Sequence, residues 1–406
     1  MTLYNTSVFF YGFSIRLASL FNEKAAKWIK GRQNWRDQLS KDRTPYDFWF
    51  HVASLGEFEQ ARPLIEALKA ENESCRIVLT FFSPSGFEIR KNYPLADKVM
   101  YLPLDLPHNA VDFIEFVQPK RAVFVKYEFW LNYLNELEKK RIPTILISAI
   151  FREDQVFFKS FGKTFRKALK SFERIYVQDE NSKMLLEGIK VQSKVVGDTR
   201  IDRVKAVRSQ KIDFGSTLES FTNERQVVLF GSAWEDELKI AQELLQENSK
   251  VQLIVAPHLV DEKHLAEMEE RLGAKRCIRF TQIESDPIDG KRVVLIDTIG
   301  QLSKLYKYAT VAVVGGGFQG SVHNTLEPSV WGIPVLFGPD HEKFEEARQL
   351  VARGASLTAK NWKILSAKLQ ELLEDKQRIV HLGELTKEYI ELNSGATQKI
   401  LSDWKR

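Results

Sequence analysis

The sequence predicts an α/β protein built as two parallel-sheet halves with a cleft between them, and three observations carry that prediction. From Asp47 onward, short apolar runs rich in β-branched and aromatic residues alternate with longer helical patterns. That is the rhythm of parallel βαβ units covered by helices on both faces. The rhythm pauses over 203–225, which is polar and lacks a strand signal, and then restarts. At 406 residues the chain is also long enough for two domains.

Taken in order, the elements begin with an apolar stretch from Leu3 to Phe21 in which Arg16 is the one charge. It is short for a spanning helix and is diluted by Asn5, Thr6, Ser7 and Ser14. A basic aromatic stretch follows, with Lys24, Lys27, Trp28, Lys30, Arg32, Trp35 and Arg36. Tryptophans among cations after an apolar segment suit an interfacial membrane anchor. A first helix packed on the fold is the plainer reading. Strands are expected at Phe48–Ala53, Arg76–Phe82, Ala122–Val125, Thr144–Ser148, Arg174–Val177 and Ser193–Val196, with helices such as Phe58–Ala70 and Glu128–Lys139 between them. After the pause they are expected at Val227–Phe230, Val251–Ala256, Arg292–Ile296, Thr310–Val314 and Pro334–Phe337, before an amphipathic stretch from Trp362 to about Leu392. The implied organisation is an N-terminal membrane-associating segment (1–45), a first α/β domain (46–205), a linker (206–225) and a second α/β domain (226–406) whose last helix packs back on the first.

Composition removes several classes. Hydrophobic residues at 44% and charged residues at 28% exclude wholesale disorder. Two cysteines exclude a disulfide framework and a Cys-rich zinc site. The sequence has no H-E-x-x-H set, no paired D-x-D aspartates and no G-x-S-x-G elbow, so neither a metal nor a hydrolase triad is indicated. A net charge of +5 is mild. The basic aromatic run from Phe157 to Lys167 suits a cationic helix face or an anionic headgroup as well as it suits nucleic acid, and no nucleic-acid partner is expected.

Chemistry in open parallel sheets sits in the strand-to-helix loops. The first reads His51-Val-Ala-Ser-Leu-Gly-Glu57. Ser54 and Glu57 have the spacing of a capping box, which spacing alone favours. The competing reading makes Glu57 a general base at the cleft, with Gly56 before it admitting a close ligand. Ser83-Pro84-Ser85-Gly86 offers hydroxyls and backbone N–H groups at another helix start, and Glu128 in Lys126-Tyr-Glu-Phe-Trp130 sits at a strand end. In the second half, Gly231-Ser232 and Val314-Gly-Gly-Gly317 each follow a strand. Glycines there let backbone N–H groups approach an anion. Neither matches a dinucleotide fingerprint or a phosphate-binding P-loop. His323-Asn324 and Glu327-Pro328 follow closely, and Glu327 is placed to accept both hydroxyls of a ribose.

Together these motifs resemble the Kdo transferases, which add 3-deoxy-D-manno-octulosonic acid (Kdo) to the lipid A precursor of lipopolysaccharide. The resemblance runs over nearly the whole chain. It comprises the apolar-then-basic N-terminus, His51–Glu57, Ser83–Gly86, Leu102–Pro107, Glu128–Trp130, Gly197-Asp198, Gly231-Ser232, Asp297–Gly300, Val314–Pro328 and Pro334–Pro339. It implies a GT-B glycosyltransferase fold of two Rossmann-like domains with an interdomain cleft, an inverting reaction that needs no metal or other cofactor, and CMP-Kdo as donor. By the same resemblance Glu57 is the catalytic base, overriding the capping preference, and Glu128 is a second acidic residue on the acceptor side. Ser54, Gly56, Ser83, Ser85 and Gly86 are expected to bind acceptor. Gly231, Ser232, His258, Thr298, Ile299, Gly300, Gly316, Gly317, Asn324 and Glu327 are expected to hold the donor.

Three departures stand out. Ala256-Pro257-His258 replaces the family's Pro-Arg-His, Ser321-Val322-His323-Asn324 replaces Gly-Gly-His-Asn, and Lys126 replaces a frequent Glu. The expected partners are the donor, a lipid A precursor and the inner-membrane surface, with the protein on its cytoplasmic face as a peripheral or monotopic enzyme. The rival expectations are a GT-B transferase using a UDP-sugar and a non-catalytic lipid-binding protein on the same scaffold.

Overall fold

The computed structural model describes residues 1–40, 44–223 and 225–404. The chain divides into two compact units, one of residues 1–203 with 394–406 and one of residues 204–393. The first unit holds β1 (Phe48–Val52), β2 (Ile77–Phe81), β3 (Lys98–Tyr101), β4 (Arg121–Val125), β5 (Thr144–Ala149), β6 (Arg174–Val177) and β7 (Lys194–Val195). They pair as one sheet in the order β3-β2-β1-β4-β5-β6-β7. The second unit holds β8 (Val227–Ala233), β9 (Gln252–Pro257), β10 (Cys277–Arg279), β11 (Val293–Leu295), β12 (Val311–Val314), β13 (Val335–Phe337) and β14 (Ser356–Thr358), in the order β10-β11-β9-β8-β12-β13-β14. Among the described residues the strands of both sheets pair in parallel.

The strands form where they do because both sheet faces are covered. β2 and β5 are buried along their whole length, and Phe50, Val52, Leu79 and Ile145 face one helical layer while Trp49, Val78, Phe124 and Leu146 face the other. The second sheet is sandwiched likewise. Three strands escape the sequence reading: β3, β10 and β14. Each lies at a sheet edge, is only three or four residues long, and carries fewer buried apolar residues than the central strands.

Order reverses once in each sheet, between β1 and β4 in the first and between β8 and β12 in the second. Loops beyond the carboxyl ends of strands diverge at such a switch point and leave a crevice. Glu57 follows β1, Glu128 follows β4, Gly231-Ser232 closes β8, and Gly315–Gly317 follows β12. Topology therefore gathers each group of candidates at one place.

The described residues among the first 45 belong to the first unit. Helices Thr2–Ala18, Glu23–Lys30 and Trp35–Ser40 pack on it, with Val8, Trp28, Trp35 and Leu39 buried. Lys41–Arg43 lie outside the described residues. Where a linker is expected at 206–225, the described residues instead contain the end of helix Thr199–Arg208 and the helix Ser216–Thr222, whose Leu218 and Phe221 are buried in the second unit's core. The polarity of that stretch belongs to the outer side of a packed segment. The last helix, Ala396–Trp404, sits in the first unit, where Trp404 packs edge-on against Phe48 and Asp403 pairs with Arg174 at 2.8 Å.

Candidate active site

In the first unit, β1 delivers His51 into the core and the chain turns at Ala53-Ser54 into helix Leu55–Glu71. Ser54 has the extended backbone of an N-cap, but its side chain makes no cap hydrogen bond. Glu57 turns back instead, accepting from the Ala53 N–H. Only the carboxylate half of a capping box is present. A Cβ on Gly56 would meet nothing nearer than the Ser54 Oγ at 3.9 Å, so packing does not require that glycine. Gly86 differs: a Cβ there would lie 2.6 Å from the Phe81 ring and 2.9 Å from the Leu55 N, which makes it a close-packing residue beneath the loop. Ser83 caps the helix Pro84–Arg90, accepting from the Ser85 N–H at 3.3 Å, and the two hydroxyls lie 3.0 Å apart.

Glu128 is not the exposed helix-start residue that its position suggests. Helix Leu131–Lys139 begins after it, and Glu128 is buried in the preceding turn. Its Oε2 accepts from the Trp130 indole N–H at 2.7 Å and lies 3.1 Å from His51 Nε2. His51 is fully buried. Its Nδ1 lies 2.9 Å from Thr80 Oγ1, which also accepts from Trp49 Nε1 at 2.8 Å and donates to the Phe50 carbonyl at 3.3 Å. The single Thr80 hydroxyl proton is divided between that carbonyl and His51 Nδ1, and its position sets the His51 tautomer. The Trp130 indole N–H lies 2.9 Å from His51 Nε2 as well as 2.7 Å from Glu128 Oε2, so it stands between the two groups as a donor to both. Burial disfavours the charged form of both groups.

The electrostatics agree. Burial pushes His51 down to about 3, with the Arg32 guanidinium adding to the effect. Glu128 is raised by burial, against the pull of the Trp130 N–H. Glu57 is raised mainly by burial and then by the Glu128 charge, while the Ala53 N–H and the Lys126 ammonium pull it back. Lys126 has a left-handed backbone, φ 61°, at the end of β4. Two buried carboxyl groups of raised proton affinity near one cation are a candidate acid–base site.

In the second unit, β8 bulges between Phe230 and Ala233, and Ser232 sits at φ 52°. Gly231 is required because a Cβ would fall 2.0 Å from the Tyr306 hydroxyl. Gly317 faces Gly338 so closely that a Cβ would lie 2.6 Å from its N. Gly316 has φ 85°, and the Gly317 and Phe318 N–H groups make no hydrogen bond among the described residues. Such a turn offers the free N–H groups that an anion site uses. Asn324 Oδ1 accepts from the Leu326 N–H at 3.1 Å and its amide donates to Glu327 Oε1 at 3.2 Å, which aims the Glu327 carboxylate. After β11, Thr298 Oγ1 is buried without a partner, Ile299 is 86% exposed, and Gly300 has φ 91°.

His258 stacks on Trp234 with centroids 3.9 Å apart and lies 4.9 Å from the ring of His323, whose Nε2 accepts from Trp234 Nε1 at 3.2 Å. Burial lowers the titration of both histidines, and His258 further lowers His323. Trp234, His51 and Trp130 were not singled out individually in the sequence. His51 and Trp130 stand inside the motifs at 51–57 and 126–130, whereas Trp234 gives no signal until the fold stacks it on His258. Among the described residues no group of three His, Cys, Asp or Glu is arranged to hold a metal.

Comparison with solved structures fixes the class. UDP-GlcNAc 2-epimerase from Neisseria meningitidis superposes with a TM-score of 0.62 at 17% identity, covering 87% of this chain and 98% of that one. MurG from Acinetobacter baumannii gives 0.57 at 12% identity, covering 88% and 99%. The two Rossmann-like units are those of the GT-B fold.

The sequence comparisons are narrower. The family model for 3-deoxy-D-manno-octulosonic-acid transferase (kdotransferase) matches residues 24–203. The 3-deoxy-D-manno-octulosonic acid transferase of Aquifex aeolicus is 30% identical over 339 residues, 82% of this chain and 87% of that protein. That of Haemophilus influenzae is 28% identical over 375 residues, 88% and 86%. The chain belongs to the Kdo transferase family and is a glycosyltransferase.

Proposed function

We propose that this protein transfers Kdo from CMP-Kdo to a lipid A precursor, with inversion at the anomeric carbon and without a metal. The observation that carries the reading is the buried carboxyl pair at the β1/β4 switch point, one member of which, Glu57, is held at a helix start with its proton affinity raised. A base of that kind is matched to a sugar hydroxyl. Glu57 takes the hydroxyl proton as the acceptor oxygen attacks the Kdo anomeric carbon and the C–O bond to CMP breaks. Glu128, held by the Trp130 N–H beside His51, adds a second carboxyl whose charge raises the proton affinity of Glu57. The leaving phosphate is met by the Gly317 and Phe318 N–H groups, which supply fixed dipoles where charge develops. Glu327 takes the ribose hydroxyls, and the Trp234–His258–His323 cluster stands beside the glycine turn.

The acceptor's lipid character is supported by the N-terminal helix. Phe9, Phe10, Phe13, Leu17, Leu20 and Phe21 are exposed along it and just beyond it, while Tyr4 and Val8 attach its other face. Among the described residues no helix is long and apolar enough to cross a membrane. The helix therefore suits an interfacial position, its aromatic face in the headgroup region on the cytoplasmic side of the inner membrane. Of the basic run 157–167, Arg166 is committed to the Phe157 and Lys159 carbonyls at 2.9 and 2.7 Å, which leaves Lys159, Lys163 and Lys167 as the contribution to such a surface.

The test is direct. Purified protein is incubated with CMP-Kdo and a tetra-acylated diglucosamine bisphosphate, and the product is weighed by mass spectrometry with and without EDTA. A mass gain of one or more Kdo units in both supports the reading. Transfer from a UDP-sugar instead, or donor hydrolysis with no product, overturns it.

A further inference from the structure

We propose that a cavity of about 350 Å³ between the N-terminal helices and the β3 loop binds a phosphate of the acceptor together with the start of an acyl chain. The inference rests on the reading of the acceptor as an acylated sugar.

The cavity falls in the size range of ligand sites. Its wall is mostly apolar, with Phe9, Phe13, Trp28 and Leu104 among the lining residues, and the charged groups on it are Arg16 and Arg32; no carboxylate lines it. Arg32 is held by three carbonyls: Nε donates to Leu102 O at 2.8 Å, Nη1 to Trp28 O at 3.1 Å and Nη2 to Phe82 O at 2.7 Å. Its plane is fixed over the Trp28 ring, 3.7 Å from the centroid. A guanidinium has five N–H donors, so two remain. Among the described residues neither arginine has a carboxylate within ion-pair distance. A rigid, partly desolvated guanidinium with spare donors, beside a second unpaired cation in an apolar wall, is complementary to the phosphate of an amphiphile.

Position selects the acceptor over bulk phospholipid. The Arg32 guanidinium also lies 5.0 Å from the Phe82 ring, Phe82 packs 4.7 Å from Trp130, and Trp130 bonds Glu128. Two packed rings, Phe82 and Trp130, thus lie between the Arg32 guanidinium and Glu128. A phosphate held there fixes the sugar that carries the reacting hydroxyl.

The experiment uses the full chain in detergent micelles, with the bisphosphorylated acyl-diglucosamine and its enzymatically dephosphorylated form as acceptors. Arg16→Glu, at an exposed side chain without a partner, and Arg32→Gln are compared with the wild type. Each variant is expected to raise KM for the phosphorylated acceptor by about tenfold or more, the scale of one charge-assisted contact, with kcat within about twofold. The rise disappears with the dephosphorylated acceptor, and CMP binding by calorimetry is unchanged. An unaltered KM in Arg16→Glu, an equal penalty on both acceptors, or equal competition by phosphatidylglycerol micelles overturns the site. If the wild type transfers no Kdo, the proposed reaction fails by itself. Calorimetric titration of the phosphorylated diglucosamine into wild type and Arg16→Glu, without donor, then decides the cavity separately.

Discussion

Glu57 has the local surroundings of a helix-start residue and the electrostatics of a base, and its substitutions separate the two roles. Glu57→Gln keeps an acceptor for the Ala53 N–H and removes the basic carboxylate. Transfer is expected to fall roughly 100-fold or more, the scale of lost general-base catalysis, with folding preserved; near-normal turnover would remove Glu57 from the mechanism. The pH profile carries a second signature. Because burial and the Glu128 charge raise Glu57, the acid limb of kcat/KM lies above the ordinary carboxylate range, and activity falls as pH drops through it. Glu128→Gln removes the like charge, so the limb of its residual activity moves to lower pH. The same shift has a sign in stability. A carboxyl whose folded titration is raised loses stability as pH rises through it, so the melting-temperature difference in favour of Glu57→Gln should grow with pH. At the donor half-site, Glu327→Ala is expected to weaken CMP binding by about 1.5–3 kcal/mol. Calorimetry with CMP and 2′-deoxy-CMP checks the ribose contact: equal losses for the two nucleotides would exclude the 2′-hydroxyl.

At the scale of elements, the glycines report close approach rather than flexibility. Gly231 ends the straight part of β8 directly over the Tyr306 hydroxyl, and the bulge that follows turns Ser232 outward. Gly231→Ala is expected to cost about 1–3 kcal/mol through overpacking, measured by denaturant unfolding of the intact chain. Tyr306→Phe removes the atom that clashes most and should recover part of that loss; additive effects of the two changes would mean that the contact is not the cause. The Gly86 contact with Phe81 and Leu55 works in the same way, locking the helix Pro84–Arg90 beneath the loop that carries Glu57. The resemblance makes Gly86 an acceptor contact, and the structure gives it a packing role as well. A glycine needed for ligand approach and one needed for helix approach have the same letter, and only the neighbours separate them.

For the whole molecule, the N-terminal helix joins packing and membrane attachment in one element. Tyr4 donates to the buried Asp105 at 2.6 Å, and Asn5 accepts from Asn132 at 3.0 Å. Deleting the helix would therefore strip support from Asp105, which burial already pushes up to about 6. The cleaner test replaces Phe9, Phe10 and Phe13, all exposed, with serine. This variant is expected to keep its melting temperature and CMP affinity while losing most of its sedimentation with anionic vesicles. Undiminished vesicle binding would assign attachment to the cations alone.

How much of this was legible in the sequence follows from where the information lies. Alternation of apolar runs with helical patterns determined two parallel α/β halves, since a strand buried on both faces must be apolar throughout. The central strands and the loops after them were readable for that reason; β3, β10 and β14 were not, because an edge strand is short and half covered. The ordered motifs determined the family. What only the tertiary structure decided is the state of the groups. The hydrogen bonding of His51 and Glu128 depends on Thr80, Trp49 and Trp130, which two strands and a turn bring to one point. The charge of a buried carboxyl is set by what surrounds it in space, and those neighbours are distant in the chain.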